Sequence, residues 1–285
     1  MKKVIIIFFF LSLISEAQEY EKAPNIILIM VDDLGAECLN SYGDINIFFQ
    51  NGKIKTPHID NLANEGMIFT DAHTSSSVCT PTRYGILTGR YNWRSKLKKS
   101  VLGGNSKGLI SKNRTTVASF LKNHNYKTAF IGKWHLGTTP TGFDYSKVLI
   151  NWGGQGTYFN PQFCINGQDT VTETKLHSTK IIENDCLDWL SNRDTTKPFM
   201  LLYQFKAPHR DWRPDSMYHD LFSDFDFPLP KTFNDDYEGR RAASENMMEI
   251  GNHLNRRDMK QTRLKLLSRI LLRLSVLPSK RSVAA

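Results

Sequence analysis

Past its first seventeen residues, the 285-residue sequence has no apolar run approaching the roughly 18 residues that a membrane-spanning helix needs. No transmembrane helix is therefore expected. Cysteine is scarce: Cys38, Cys79, Cys164 and Cys186 are the only four, and no C-x-x-C occurs. That spacing excludes the common zinc frameworks. Four cysteines allow three pairings, and if one is diverted to chemistry at most one disulfide forms. Cys164 and Cys186 flank a helical pattern and are the pair to test. Internal repeats and long low-complexity segments are also missing. The net charge of +9 is misleading, because residues 1–17 carry +1 and residues 261–285 carry +6. A body of only +2 has no electrostatic footprint for a nucleic-acid backbone. What remains is a globular composition, 40% hydrophobic and 23% charged, with a length that suggests about two domains.

The ends differ from the body. Lys2 and Lys3 precede an apolar stretch from Val4 to Ile14, and Ser15 and Ala17 occupy the −3 and −1 positions of a cleavage site. Charge, length and exit chemistry define residues 1–17 as a secretory signal peptide, so the mature chain is expected in the periplasm or secreted. At the other end, residues 261–285 hold Arg263, Lys265, Arg269, Arg273, Lys280 and Arg281 without an acid, and Leu264, Leu267, Leu271 and Leu274 recur at helical spacing. Read directly, this is a basic amphipathic helix. The abrupt change of composition favours a second reading, out-of-frame translation from about residue 260.

Within the body, Asn25–Val31 is a continuous apolar run that reads as a fully buried strand. Thr56-Pro57 opens a helix that stops at Gly66. Met67–Thr70 reads as a short strand, Pro81 starts a helix, and Thr115 or Thr116 caps another through His124. Lys127–Ile131 is a strand, Glu173–Asn192 has helical periodicity, and Pro198–Phe205 is a second buried strand. Residues 208–234 read as an ordered surface loop. Alternating strands and helices predict an α/β domain with a largely parallel sheet, whose ligands gather beyond the carboxyl ends of the strands.

Chemistry collects at those ends. Asp32 and Asp33 follow the first strand, and adjacent carboxylates there suit a hard cation such as Ca²⁺ or Mg²⁺, or equally a solvated turn. Cys79 falls at the start of a helix whose amides and dipole favour an anion, and Arg83, four residues on, shares its face. In extended geometry Lys133 and His135 point to one side of GKWHLG, a cation and an imidazole suited to charge stabilisation and proton transfer. His209 follows the last strand as a proton donor or a loop histidine.

These elements in this order (PNIILIMVDDLG, CTPTRYGILTGR, GKWHLG and APH after a buried strand) resemble the formylglycine-dependent sulfatases of the alkaline-phosphatase-like superfamily, from Asn25 to about Lys260. The resemblance implies that a maturation enzyme converts Cys79 to formylglycine, whose hydrate attacks sulfur and then expels sulfate. It implies that Asp32, Asp33 and the modified Cys79 bind a divalent cation, usually Ca²⁺. Arg83 and Lys133 would hold the diol and stabilise charge, His135 would take the diol proton, and His209 would contact the sulfate and protonate the leaving oxygen. The stretch from Phe205 to Tyr237 looks like that of bacterial sulfatases acting on sulfated amino sugars, so a sulfated carbohydrate is the expected substrate. The family's later Asp-Asn or Asp-His pair and second active-site lysine have no counterpart here, and no role is carried onto Asn234, Asp235 or Asp236. The smaller C-terminal subdomain is also absent from the pattern. Residues 18–260 therefore read as an incomplete catalytic domain, and the chain as written is expected to be impaired. Two alternatives are a phosphodiesterase or phosphonate monoester hydrolase on the same scaffold, and an inactive glycan-binding fragment.

Overall fold

The computed structural model describes residues 23–35, 38, 39, 41, 55–103, 106–224 and 235–246. The expected signal peptide (1–17), the basic tail (261–285) and part of the 208–234 loop lie outside the described residues.

Six strands form one sheet: β1 (Ile26–Asp32), β2 (Lys127–Lys133), β3 (Tyr145–Leu149), β4 (Gln162–Ile165), β5 (Asp169–Thr172) and β6 (Phe199–Pro208), in the order β1-β6-β2-β3-β4-β5. The first four in that order run parallel, and β4 and β5 close the far side as antiparallel additions. The expectation of a largely parallel sheet therefore holds, with an antiparallel extension that the apolar pattern did not signal. Helices α1 (Pro57–Glu65), α2 (Cys79–Thr88), α3 (Val117–Asn123) and α4 (Ser178–Asn192) accompany it.

Alternation along β6 sorts the core into two layers. Met200 and Leu202 join Tyr84, Leu87, Ala118, Phe130 and Trp134 under α2 and α3. Phe199 and Leu201 join Ala129, Ile131, Phe163, Ile182 and Cys186 under α4. This layering corrects the disulfide expectation. Cys164 packs with the first layer and Cys186, inside α4 rather than beyond it, with the second, and both thiols are free. The sheet stands between them.

Three other expectations are corrected. Met67–Thr70 forms no strand, leaving Met67 and Phe69 exposed. Helix α4 starts at Ser178 rather than Glu173, where the His177 side chain caps it by accepting from the Thr179 amide. Strand β1 is not fully buried: it pairs only with β6 among the described residues, and Ile27 and Ile29 are 47% and 51% exposed. An apolar run identifies a strand well, but not whether both flanks are covered.

Local chemistry explains the helix ends near the site. Thr116 caps α3 through a capping box with Ser119. Thr56 does not cap α1; its hydroxyl donates instead to Asp60. Helix α2 begins at Cys79, with Pro81 its third residue, and ends at Gly89 in the left-handed conformation.

Candidate active site

The carboxyl ends of β1, β6 and β2 lie side by side. Asp32 is in register with Pro208 at the end of β6, and Gly132, one residue before the end of β2, is in register with Gln204. Gly132 has φ +116, and a Cβ there would collide with the Gln204 carbonyl, so only glycine lets the two backbones approach this closely. The N-terminus of α2 meets these ends.

A buried ionic cluster occupies the junction. Lys133, with no solvent exposure, donates to Asp32, which is 6% exposed. Arg83 enters from α2, donating through Nη1 to the Lys133 carbonyl at 2.5 Å and to Gln204 Oε1 at 2.6 Å. Its Nη2 stands 3.6 Å from Asp32, and neither Nε nor Nη2 has a hydrogen-bond partner. Burial pushes the Asp32 carboxyl up, but Lys133 and Arg83 together outweigh it and hold it below its usual range. Burial pulls Arg83 down, with Asp32 opposing. A guanidinium with two buried, unpartnered nitrogens is a cation with spare donors.

Cys79 and His135 lie in direct contact. Cys79 Sγ lies 3.1 Å from His135 Nδ1, and His135 Nε2 is 3.0 Å from the Leu102 carbonyl. A carbonyl only accepts, so Nε2 carries the proton and Nδ1 presents its lone pair to Cys79. Burial is the main cause that lowers His135 to about 4, so the ring is neutral in ordinary conditions. The extended arrangement expected for Lys133 and His135 is corrected. Strand β2 ends at Lys133, and His135 sits at φ +51, in the left-handed region. Both side chains reach the same site, but through a turn rather than by alternation. Thr80 locks that turn, donating to the His135 carbonyl and accepting from the Leu102 amide.

His209 completes the ring of groups. Its Nδ1 donates to the Arg210 carbonyl at 2.6 Å, leaving Nε2 3.7 Å from Asp33. Burial, then Lys133, lowers its pKa. Tyr158 fixes this segment by donating to the His209 carbonyl. All the sequence-read residues, Asp32, Asp33, Cys79, Arg83, Lys133, His135 and His209, thus adjoin one another. Gln204, Tyr158 and Lys206 also adjoin the site and were not read from the sequence as part of it. A glutamine and a lysine within the apolar run of β6 were the available signal for two of them. Asp235 pairs with Arg240 at 2.5 Å and Asp236 accepts from the Glu238 amide, both interactions local to their own turn.

Asp32 and Asp33 have the donor chemistry of a hard divalent cation. Among the described residues no three His, Cys, Asp or Glu side chains converge to hold a metal, so Asp32, Asp33 and Cys79 do not by themselves form the ligand set expected from the sequence.

The chain is similar to known sulfatases. The chain is 36% identical over 234 residues to an N-acetylglucosamine-6-O-sulfatase of Bacteroides thetaiotaomicron, covering 82% of this chain and 39% of that protein. An N-acetylgalactosamine-6-O-sulfatase of the same organism is 41% identical over 142 residues, or 50% of this chain and 26% of the relative. A solved structure in complex with its substrate D-glucosamine-2-N,6-O-disulfate superposes with a TM-score of 0.74 at 35% identity, over 89% of this chain and 49% of that one. The chain thus spans well under two thirds of the length of these relatives. The sulfatase family model matches residues 24–267, running past residue 260, and with that match over most of its length the chain belongs to the sulfatase family.

Proposed function

We propose that the chain is part of an exported sulfuric ester hydrolase that releases sulfate from sulfated carbohydrate, with residues 18–260 contributing to its catalytic domain. The observation that carries this reading is the pairing of Cys79 with a neutral, lone-pair-bearing His135 Nδ1 at 3.1 Å, beside a buried guanidinium with spare donors.

In this reading Cys79 is the position converted to formylglycine by a maturation enzyme, and addition of water to that aldehyde gives a diol whose hydroxyl is the nucleophile at the head of α2. No side chain caps the first turn of α2, and the helix dipole favours negative charge at that end. His135 Nδ1 accepts the proton, and the Leu102 carbonyl fixes the tautomer that makes this feasible. Arg83 and Lys133 hold the ester's anionic oxygens against the charge of Asp32. His209 keeps Nε2 for exchange with the leaving oxygen, because Nδ1 is committed to Arg210. Asp32 and Asp33 would hold a divalent cation, Ca²⁺ by their hard oxygens, which would polarise the nucleophile. A sulfated amino sugar is the substrate class favoured by the two Bacteroides relatives. Export is supported by the leader at residues 1–17. No helix among the described residues is long and apolar enough to cross a membrane.

The test is co-expression with a formylglycine-generating enzyme, mass spectrometry of the Cys79 peptide, and assay of sulfate release from N-acetylglucosamine 6-sulfate. The expected result is the aldehyde at Cys79 and, in a full-length chain, release that Cys79→Ala abolishes. An unconverted thiol refutes the reading. Conversion and sugar binding without release reduce the chain to a glycan-binding fragment.

A further inference from the structure

Beside the catalytic groups lies a second concavity. A cavity of about 420 Å³ opens next to His209, lined by Trp152, Tyr158, Phe159, Lys206, Arg210 and Arg213. Its lining holds two arginines and a lysine against one carboxylate, Asp211.

Lys206 is the informative member. It is 6% exposed, and among the described residues its ammonium makes no ion pair; it rests 5.0 Å above the Tyr158 ring. Burial, then repulsion from Lys133, lowers it to about 8, which leaves it largely charged at neutral pH. Asp32 and Asp211 favour its charge from a distance without pairing with it, and a buried cation so placed is costly unless an anion joins it. Arg83 and Lys133 already have Asp32 between them, so Lys206 stands outside that cluster as a separate positive centre. Arg213 lies on the same side, its guanidinium 5.3 Å over the Phe159 ring.

Trp152 supplies the other half of a sugar site. It is 75% exposed and held at φ +53, ψ +44, a conformation bulky residues rarely adopt. The turn bearing it presses on the catalytic loop: a Cβ on Gly154 would come within 2.8 Å of the His135 amide. The indole is thereby displayed at the cavity rather than folded into the core, on a turn registered to His135. Aromatic faces of this kind take the apolar face of a pyranose.

We propose that this cavity is a sugar subsite for a substrate bearing a second anionic substituent besides the ester to be cleaved, with Trp152 as the stacking platform and Lys206 and Arg213 as the anion's partners. The inference deepens the sulfatase reading and rests on it. It makes the preferred substrate a polyanionic sugar.

The test is calorimetric titration of the unconverted chain in Ca²⁺-containing buffer with N-acetylglucosamine 6-sulfate, and with glucosamine 2-N,6-O-disulfate and N-acetylglucosamine 3,6-disulfate. At least one disulfate is expected to bind about ten- to a hundredfold more tightly than the monosulfate, the value of one or two charge-assisted hydrogen bonds. Arg213→Gln, at an exposed position, and Lys206→Met should shrink that ratio to within about twofold. Trp152→Ala should weaken all three sugars together. Equal binding of mono- and disulfated sugars overturns the subsite and leaves the sulfatase reading intact. Binding of none of the three refutes the carbohydrate reading and the subsite with it. A disulfate preference that survives Arg213→Gln and Lys206→Met assigns the anion to other residues and overturns the proposal.

Discussion

His135 is the residue on which pH should act most visibly. Its pKa is lowered from 6.5 to about 4, chiefly by burial. Between those values the unfolded chain binds a proton that the folded chain refuses, so stability rises with pH through that window and is lost as pH falls. The full difference amounts to roughly 3 kcal/mol below pH 4. Urea titrations between pH 7 and pH 4 should therefore show a steep loss for the parent chain and a shallower one for His135→Gln. Equal slopes would mean that the imidazole is not buried in the neutral form. Asp32 adds a trend of the same sign, which is why the comparison must be with the variant. At this scale Cys79, Arg83, Lys133 and His135 were legible because each occupies a fixed place in a short motif. Gln204 was not, because its role is to accept from an arginine 121 positions earlier, and nothing local to β6 announces that.

Among the elements, α3 tests how local signals set the frame. Its seven residues are too few to persist alone, and Thr116 and Ser119 each satisfy an amide of the other. Thr116→Ala should cost about 1 kcal/mol in a denaturant titration. A loss below a few tenths would mean that packing of Ala118 against the sheet, not the cap, fixes the helix. A cap at Thr115 or Thr116 and the strand from Lys127 were readable from residue type alone, and the structure selects Thr116. The partners of β3 were not. Tyr145–Leu149 contains Lys147, which breaks the apolar pattern yet is buried against Asp185 at 2.7 Å and lies 5.1 Å from the Phe163 ring. A charge neutralised by distant groups cannot be told from a solvated one by periodicity.

For the molecule as a whole, the bare flank at β1 matters most. Ile27, Leu28, Ile29 and Val31 are all at least 37% exposed on a strand with one paired edge among the described residues. Such an edge invites pairing with another chain. Sedimentation of the purified chain should show concentration-dependent association, and Ile29→Lys should lower it without moving the far-UV spectrum. Association unchanged by Ile29→Lys would place the contact elsewhere.

The ion pair between Asp32 and Lys133 joins positions 101 apart in the chain, and the Arg83–Gln204 bond joins positions 121 apart. The charge cluster is therefore also a long-range clasp. Closing such loops costs chain entropy before any contact repays it, and topologies of this kind fold slowly. During synthesis no productive geometry exists around Cys79 until β6 has emerged and docked between β1 and β2. Until then the thiol belongs to an open chain, accessible to whatever meets it first.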